Sequence, residues 1–150
     1  MRIPYTRTFL GTAGSADGFL ARFDSGGSRE WTRLFGSATK DVVAGVAVDQ
    51  HGNVYTSGSF GNSNTTSVFV ADSLVSAESA GGMDGFLIKH SASGDVLWLR
   101  TLGTSSDDSA QDVTTDEMGN IYVAGPRLFS FPLLAYSLST GPSLFSFPRS

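Results

Sequence analysis

Three carboxylates lie close together in Ser105-Ser106-Asp107-Asp108-Ser109-Ala110-Gln111-Asp112. Asp107, Asp108 and Asp112 supply hard oxygen donors at short spacing, the ligand type that calcium takes. The stretch has no loop glycine of the EF-hand kind, and an earlier, similar stretch carries Lys40, Asp41 and Gly45 at these places. Asp108, like Asp41, therefore reads first as the residue that caps a turn ahead of a strand. Asn64-Thr65-Thr66 is an N-glycosylation sequon, which matters only in a eukaryotic secretory pathway. His51 and His90 are the two histidines, and neither has a Ser, Asp or second His at repeated spacing. Nucleophilic or metal chemistry is not expected from them. Trp31 and Trp98 could stack on a sugar or a quinone, but equivalent surroundings make them packing residues, each with an arginine (Arg33, Arg100) two positions on. No catalytic residue, cofactor site or phosphate-cradling loop is assigned.

Those residues must be held by something, and composition narrows what. The 150-residue chain has a net charge of −4, 18 glycines and no cysteine. Disulfides and thiolate metal sites are thereby excluded. Acidity comes from eleven aspartates against three glutamates, and the ten basic residues form no stripe, so a nucleic-acid partner is not expected. Gly, Ser, Thr and Phe dominate where a helical protein would use Ala, Leu, Glu and Lys.

The chain repeats itself. Shifted by 67 positions, residues 17–58 align with 84–125 without a gap, and fifteen of 42 positions are identical. Ordinary residue usage would give on the order of three. Identities include Asp17/Asp84, Trp31/Trp98, Arg33/Arg100, Gly36/Gly103, Asp41/Asp108, Asp49/Asp116, Asn53/Asn120 and Tyr55/Tyr122. Each unit reads as four short strands of period two. In the first they lie around Phe19–Phe23, Trp31–Phe35, Val42–Val48 and Val54–Thr56, with turns at Ser25-Gly26-Gly27 and Asp49-Gln50-His51-Gly52-Asn53. No stretch shows a helical period. Tyr5-Thr6 and Leu10-Gly11 match Tyr55-Thr56 and Phe60-Gly61 at an offset of 50, so the shorter spacing implies an insertion of 17 residues within 59–83.

Tandem four-stranded antiparallel units are the sequence form of β-propeller blades. The pattern resembles the SBBP β-propeller repeat family. Gly81-Gly82-Met83-Asp84-Gly85-Phe86, Trp98, Gly103, Asp108 and Asp116-Glu117-Met118-Gly119-Asn120-Ile121-Tyr122-Val123-Ala124-Gly125 carry the resemblance. The first unit carries it through Asp17-Gly18-Phe19, Trp31, Gly36, Asp41 and Val46-Ala47-Val48-Asp49-Gln50-His51-Gly52-Asn53-Val54-Tyr55. Departures include His90 opposite Phe23, read as core-facing, and Thr114-Thr115 opposite Ala47-Val48.

The fold class expected is all-β: antiparallel four-stranded β-propeller blades, about two of them plus the end of a preceding one, in an incomplete propeller. Residues 1–16 would end that earlier blade, 17–83 form repeat 1 with the 59–83 insertion, and 84–125 form repeat 2. Residues 126–150, rich in Pro, Phe and Ser, read as a tail that is unstructured or foreign to the repeat. Its twenty uncharged positions, 128–147, are long enough to cross a bilayer, but prolines, a glycine and serines dilute them, so no membrane anchor is expected. The N-terminus has positive charge without an apolar run, so no signal peptide is visible. The resemblance implies an extracellular or cell-surface setting and a non-catalytic module that binds protein or carbohydrate. The alternative is a piece of a propeller enzyme, a quinoprotein-like dehydrogenase or a sialidase-like glycosidase. Two blades leave wide apolar faces open, so self-association to close a ring is a further expectation.

Overall fold

The computed structural model describes residues 16–37, 39–61, 69–70, 75, 77 and 79–126. The expected blade end before Ala16, the sequon at Asn64 and the tail beyond Pro126 lie outside them.

The described chain is all strand and turn. Nine strands run β1 (Gly18–Phe23), β2 (Arg29–Gly36), β3 (Val42–Val48), β4 (Val54–Phe60), β5 (Phe69–Val70), β6 (Asp84–His90), β7 (Val96–Leu102), β8 (Asp112–Thr115) and β9 (Ile121–Ala124). Short turns fold neighbours into hairpins. At the β1–β2 turn the Gly27 amide bonds the Asp24 carbonyl at 3.0 Å, and Gly27 takes φ 80°, a region open to glycine at little cost. β6–β7 turns the same way, with Gly94 at φ 86° and its amide 2.9 Å from the Ser91 carbonyl.

All strand pairs are antiparallel, in three sheets ordered β1-β2-β5, β3-β4-β6-β7 and β8-β9. The four strands expected within each repeat are present, but they are shared between sheets. β3 and β4 close repeat 1, β6 and β7 open repeat 2, and the four-stranded blade joins these halves. Its seam is the β4–β6 ladder, running in unbroken register from Val54↔His90 to Phe60↔Asp84. The insertion adds to this: β5, from within 59–83, pairs along β2 at Phe35↔Val70 and Gly36↔Phe69.

The sheets stack face to face because β4 and β6 are buried on both sides and carry apolar side chains on each. One interface gathers Leu20 and Phe35 from the first sheet against Val54, Phe60, Phe86 and Ile88. Phe35 and Phe86 stack with ring centroids 6.2 Å apart, and Phe60 lies 6.4 Å from Phe86. The opposite interface sets Tyr55, Leu87 and Trp98 against Val113, Ile121 and Val123 of β8-β9. Each fully buried Phe contributes roughly 1.5–3 kcal/mol. Gly58 sits where a Cβ would strike the Val42 carbonyl and lie 2.7 Å from the Phe86 ring, so glycine is what lets β4 and Phe86 close.

Phe23 corrects the sequence reading. It is 58% exposed, whereas His90, its repeat counterpart, is 0% exposed. Strand alternation fixes which residues share a face, but only the neighbouring sheet decides which face is covered. His90 packs edge-on against Phe35 at 5.8 Å, and its Nε2 lies 3.1 Å from Thr56 Oγ1. Burial, reinforced by the positive charge of Arg33, lowers its pKa from 6.5 to about 4. The folded state thus binds fewer protons than the unfolded chain between these pH values. Stability is complete above the unfolded pKa and falls as pH drops toward about 4, by on the order of 3 kcal/mol. Urea unfolding at pH 7 and pH 4.5 should show wild type losing more stability than His90→Phe; equal losses would contradict a titrating buried His90.

Candidate functional site

The repeated polar residues form three kinds of node. The first closes the β3–β4 turn. Asp49 Oδ1 accepts the His51 and Asn53 amides at 2.9 Å each, and Oδ2 accepts Asn53 Nδ2 at 2.8 Å and Tyr55 Oη at 3.0 Å. Asp116 repeats this with Met118, Asn120 and Tyr122 at 2.7–3.0 Å. Carboxylate bonds to side-chain and backbone donors, Asn53 foremost, lower Asp49 to about 2, and Asn120 leads the same downward shift for Asp116. Four donors converge on one carboxylate in each repeat, so the Asp-x-x-Gly-Asn-x-Tyr spacing is a turn device. His51 stands on this turn, exposed, contributing its amide.

The second node joins the aspartate at the first strand of each repeat (Asp17, Asp84) to the one ahead of the third (Asp41, Asp108). Asp41 is buried and accepts the Ser37 amide at 2.7 Å and the Ser37 hydroxyl at 2.9 Å. Burial outweighs those bonds and raises its pKa, with Asp17 nearby adding to the rise. In repeat 2, Asp108 accepts the Thr104 amide and hydroxyl at 2.6 and 2.8 Å. Asp84, 1% exposed, is likewise raised by burial, with Asp108 and Asp107 adding repulsion. A Cβ on Gly36 would lie 2.7 Å from Asp17 Oδ1, and one on Gly103 would overlap the Asp84 carboxyl. Sequence reasoning passed over these Asp–Gly pairs, although Asp17/Gly36 and Asp84/Gly103 recur at identical spacing.

The calcium candidates are placed as follows. Asp107 Oδ1 accepts the Met83 amide at 2.8 Å, Asp108 is engaged by Thr104, and Asp112, exposed at the start of β8, accepts the Val113 amide at 2.9 Å through Oδ1. Among the described residues no group of three or more His, Asp or Glu is arranged to hold a metal ion.

The third node joins successive sheets. Trp31 and Arg33 project from β2 onto the 91–95 turn of the four-stranded blade. Trp31 Nε1 donates to the Ala92 carbonyl at 3.0 Å, and Arg22 Nη1 donates to the same oxygen at 2.6 Å. Arg33 donates from Nε to the Gly94 carbonyl at 2.7 Å and from Nη2 to that of Ser93 at 3.2 Å, with Asp95 3.7 Å away. Its guanidinium also lies over Trp31, 5.5 Å from the ring centroid. Gly94 belongs here on two counts: its positive φ, and a Cβ that would lie 2.8 Å from the Trp31 ring. Trp31 is thus a clasp between sheets, its indole N–H already committed.

Trp98 and Arg100 repeat the pair without the turn. Arg100 lies 5.4 Å over the Trp98 ring and donates to the Leu99 carbonyl at 2.9 Å, and Trp98 packs 6.1 Å from Tyr55. Arg100 is exposed. Among the described residues, the same two side chains hold a turn in the first repeat and none in the second.

Comparison with known proteins agrees with this duplicated architecture. Residues 30–59 and 97–125 each match the SBBP β-propeller repeat family. An uncharacterized WD repeat-containing protein of Acanthamoeba polyphaga mimivirus is 30% identical over 135 residues, covering 85% of this chain and 10% of that protein. The regulatory protein FlaEY of Caulobacter vibrioides is 24% identical over 120 residues, covering 77% of this chain and 12% of that protein. The chain spans about a tenth of the length of these curated relatives. It carries two SBBP β-propeller repeats.

Arg33→Ala should lower stability by about 2 kcal/mol, since it strips charged donors from two turn carbonyls. Arg100→Ala in dilute protein should change stability by less than about 0.5 kcal/mol. Equal losses in denaturant midpoints would show that the two pairs are not differently occupied.

Proposed function

We propose that this chain is a non-catalytic blade segment of a larger repeat protein, serving as an interaction module at a cell surface with a protein as its principal partner. One observation carries the reading. The polar residues shared by both repeats are engaged in holding turns and joining sheets, in the same role in each copy at the Asp49 and Asp116 turns. A residue repeated for chemistry would have no need of the same turn-closing bonds in two places.

The surface beyond those nodes favours protein over glycan. Val46 and Val48 on β3 are 57% and 59% exposed, and Leu97 on β7 is 53% exposed. Apolar side chains of this kind suit a desolvated protein contact. Carbohydrate is the second class of ligand, but of the two aromatic platforms it would use, Trp31 is covered by Arg33 and bonded to Ala92, and Trp98 lies under Arg100 and packs on Tyr55. The cell-surface setting rests on the family resemblance, and the relatives' printed names, a repeat protein and a regulatory protein, are compatible with a binding role.

Labelled full-length chain should bind intact cells of its source saturably, and protease treatment of the cell surface should abolish that binding while glycosidase treatment leaves it. Absence of binding, or turnover of nitrophenyl glycosides or of alcohols with a dye acceptor by the purified chain, would overturn the reading.

A further inference from the structure

The seam between the repeats ends on two buried titratable groups. The β4–β6 ladder closes with Val54↔His90 at one end and Phe60↔Asp84 at the other, so the two groups stand at opposite ends of β6. Neither takes part in an ion pair among the described residues. A buried charge without a counter-ion costs far more than the neutral form, so each group is driven toward neutrality. For a histidine that means giving up a proton, and for an aspartate keeping one. We infer that the β4–β6 seam is a pH-governed joint, loosened by acid at its His90 end and by rising pH at its Asp84 end.

The surroundings of Asp84 support this. Its Oδ2 accepts the Ala80 amide, while Oδ1, buried against Gly103, meets no donor. The ionisable groups facing it are Asp107 and Asp108, from the 103–111 segment that joins β7 to β8, and both repel a negative charge. Burial raises its pKa above 3.8 against the bonds from Ala80 and Ser79, and the two acids add to the rise. The same segment is tethered here. The Asp108 amide donates to the Met83 carbonyl at 2.6 Å, the Met83 amide to Asp107 at 2.8 Å, and the Ala110 amide to the Gly58 carbonyl at 3.1 Å. Charge on Asp84 would therefore strain the approach to β8. At the other end, His90 meets Phe35 of β2 and Thr56 of β4. Its charged neighbour is Arg33, with Asp95 3.7 Å from that guanidinium.

The first repeat lacks the combination. Phe23 stands at the place of His90, and Lys40 at the place of Asp107. Asp41, the counterpart of Asp108, has both oxygens engaged by Ser37, whereas Asp108 Oδ1 is buried without a donor. Turn closure is common to both repeats, but this pairing of acid and base belongs to the strand that forms the seam. The two ends carry opposite linkage. His90 stabilises in full above its unfolded value of 6.5 and ceases to as pH falls toward about 4. Asp84 stabilises in full below its unfolded value of 3.8 and ceases to as pH rises through its higher folded value.

The wild-type full-length chain reports the acid directly. Carbon-13 NMR should place the Asp84 carboxyl midpoint above 3.8, and a midpoint at or below 3.8 would overturn the inference. Native-state amide exchange, corrected for intrinsic rates, separates the two ends. From pH 5 to pH 8 the Asp108 and Ala110 amides should lose protection while that of Ser91, next to His90, gains it. Trends in the same direction at both ends would overturn the joint. Asp84→Asn matches the shape of the neutral acid and stays uncharged at every pH. Its unfolding constant relative to wild type should fall at least roughly threefold over that range, the change given by a folded pKa about half a unit above the unfolded one. A constant ratio, or one that rises, would show an ionised structural carboxylate and overturn the inference as well.

Discussion

The ladder between β4 and β6 is the contact on which the rest of the molecule depends. Among the described residues it is the one strand pairing that connects the two repeats, running through seven opposed residue pairs from Val54↔His90 to Phe60↔Asp84. Its strands are the most buried in the chain, and each face of the sheet they form supports a different neighbour. Phe86 and Ile88 hold the first sheet, while Tyr55 and Leu87 hold β8-β9. Without that seam the described strands would fall into separate hairpins, one of them extended by β5, and isolated hairpins are marginal in water.

Because the seam falls between repeats, sequence unit and structural unit are out of phase. The consequence is thermodynamic. A repeat folded alone would leave the β4 edge unpaired, since its partner β6 belongs to the following repeat. Cooperativity is therefore built into the offset. Identical residues take unequal roles for the same reason. Arg33 bonds the carbonyls of a distant turn, whereas Arg100 is exposed and donates to the neighbouring Leu99 carbonyl. His90 is enclosed between sheets, whereas Phe23, its counterpart, faces outward.

The hairpins, their turns and the all-β class were legible in the sequence because they rest on local chemistry. Asp49 can reach Asn53 and Tyr55 within one turn, and Gly27 supplies a local dihedral. Arg33 over Trp31 was also readable, since residues two apart share a strand face. The grouping of hairpins into sheets was not. It is set by contacts across the repeat boundary that periodicity cannot rank, because β1–β2 and β6–β7 carry the same pattern. The carbonyl-binding role of Arg33 was hidden for a related cause: its targets are backbone atoms some sixty residues away, which leave no side-chain signal. The Asp84–Gly103 packing did leave one, a glycine recurring at fixed distance from an aspartate, and would have been found by asking why each identity needs its residue type.

The central claim is that the four-stranded sheet straddles the repeats. Solution NMR of the full-length chain measures this directly through contacts between opposed backbone hydrogens. The account predicts cross-strand Hα–Hα contacts at alternate pairs along β4 and β6, among the run Val54/His90 to Phe60/Asp84, with slow amide exchange in both strands. Cross-strand contacts that instead join β2 to β3, with none between β4 and β6, would mean that each repeat folds as its own sheet and would contradict it.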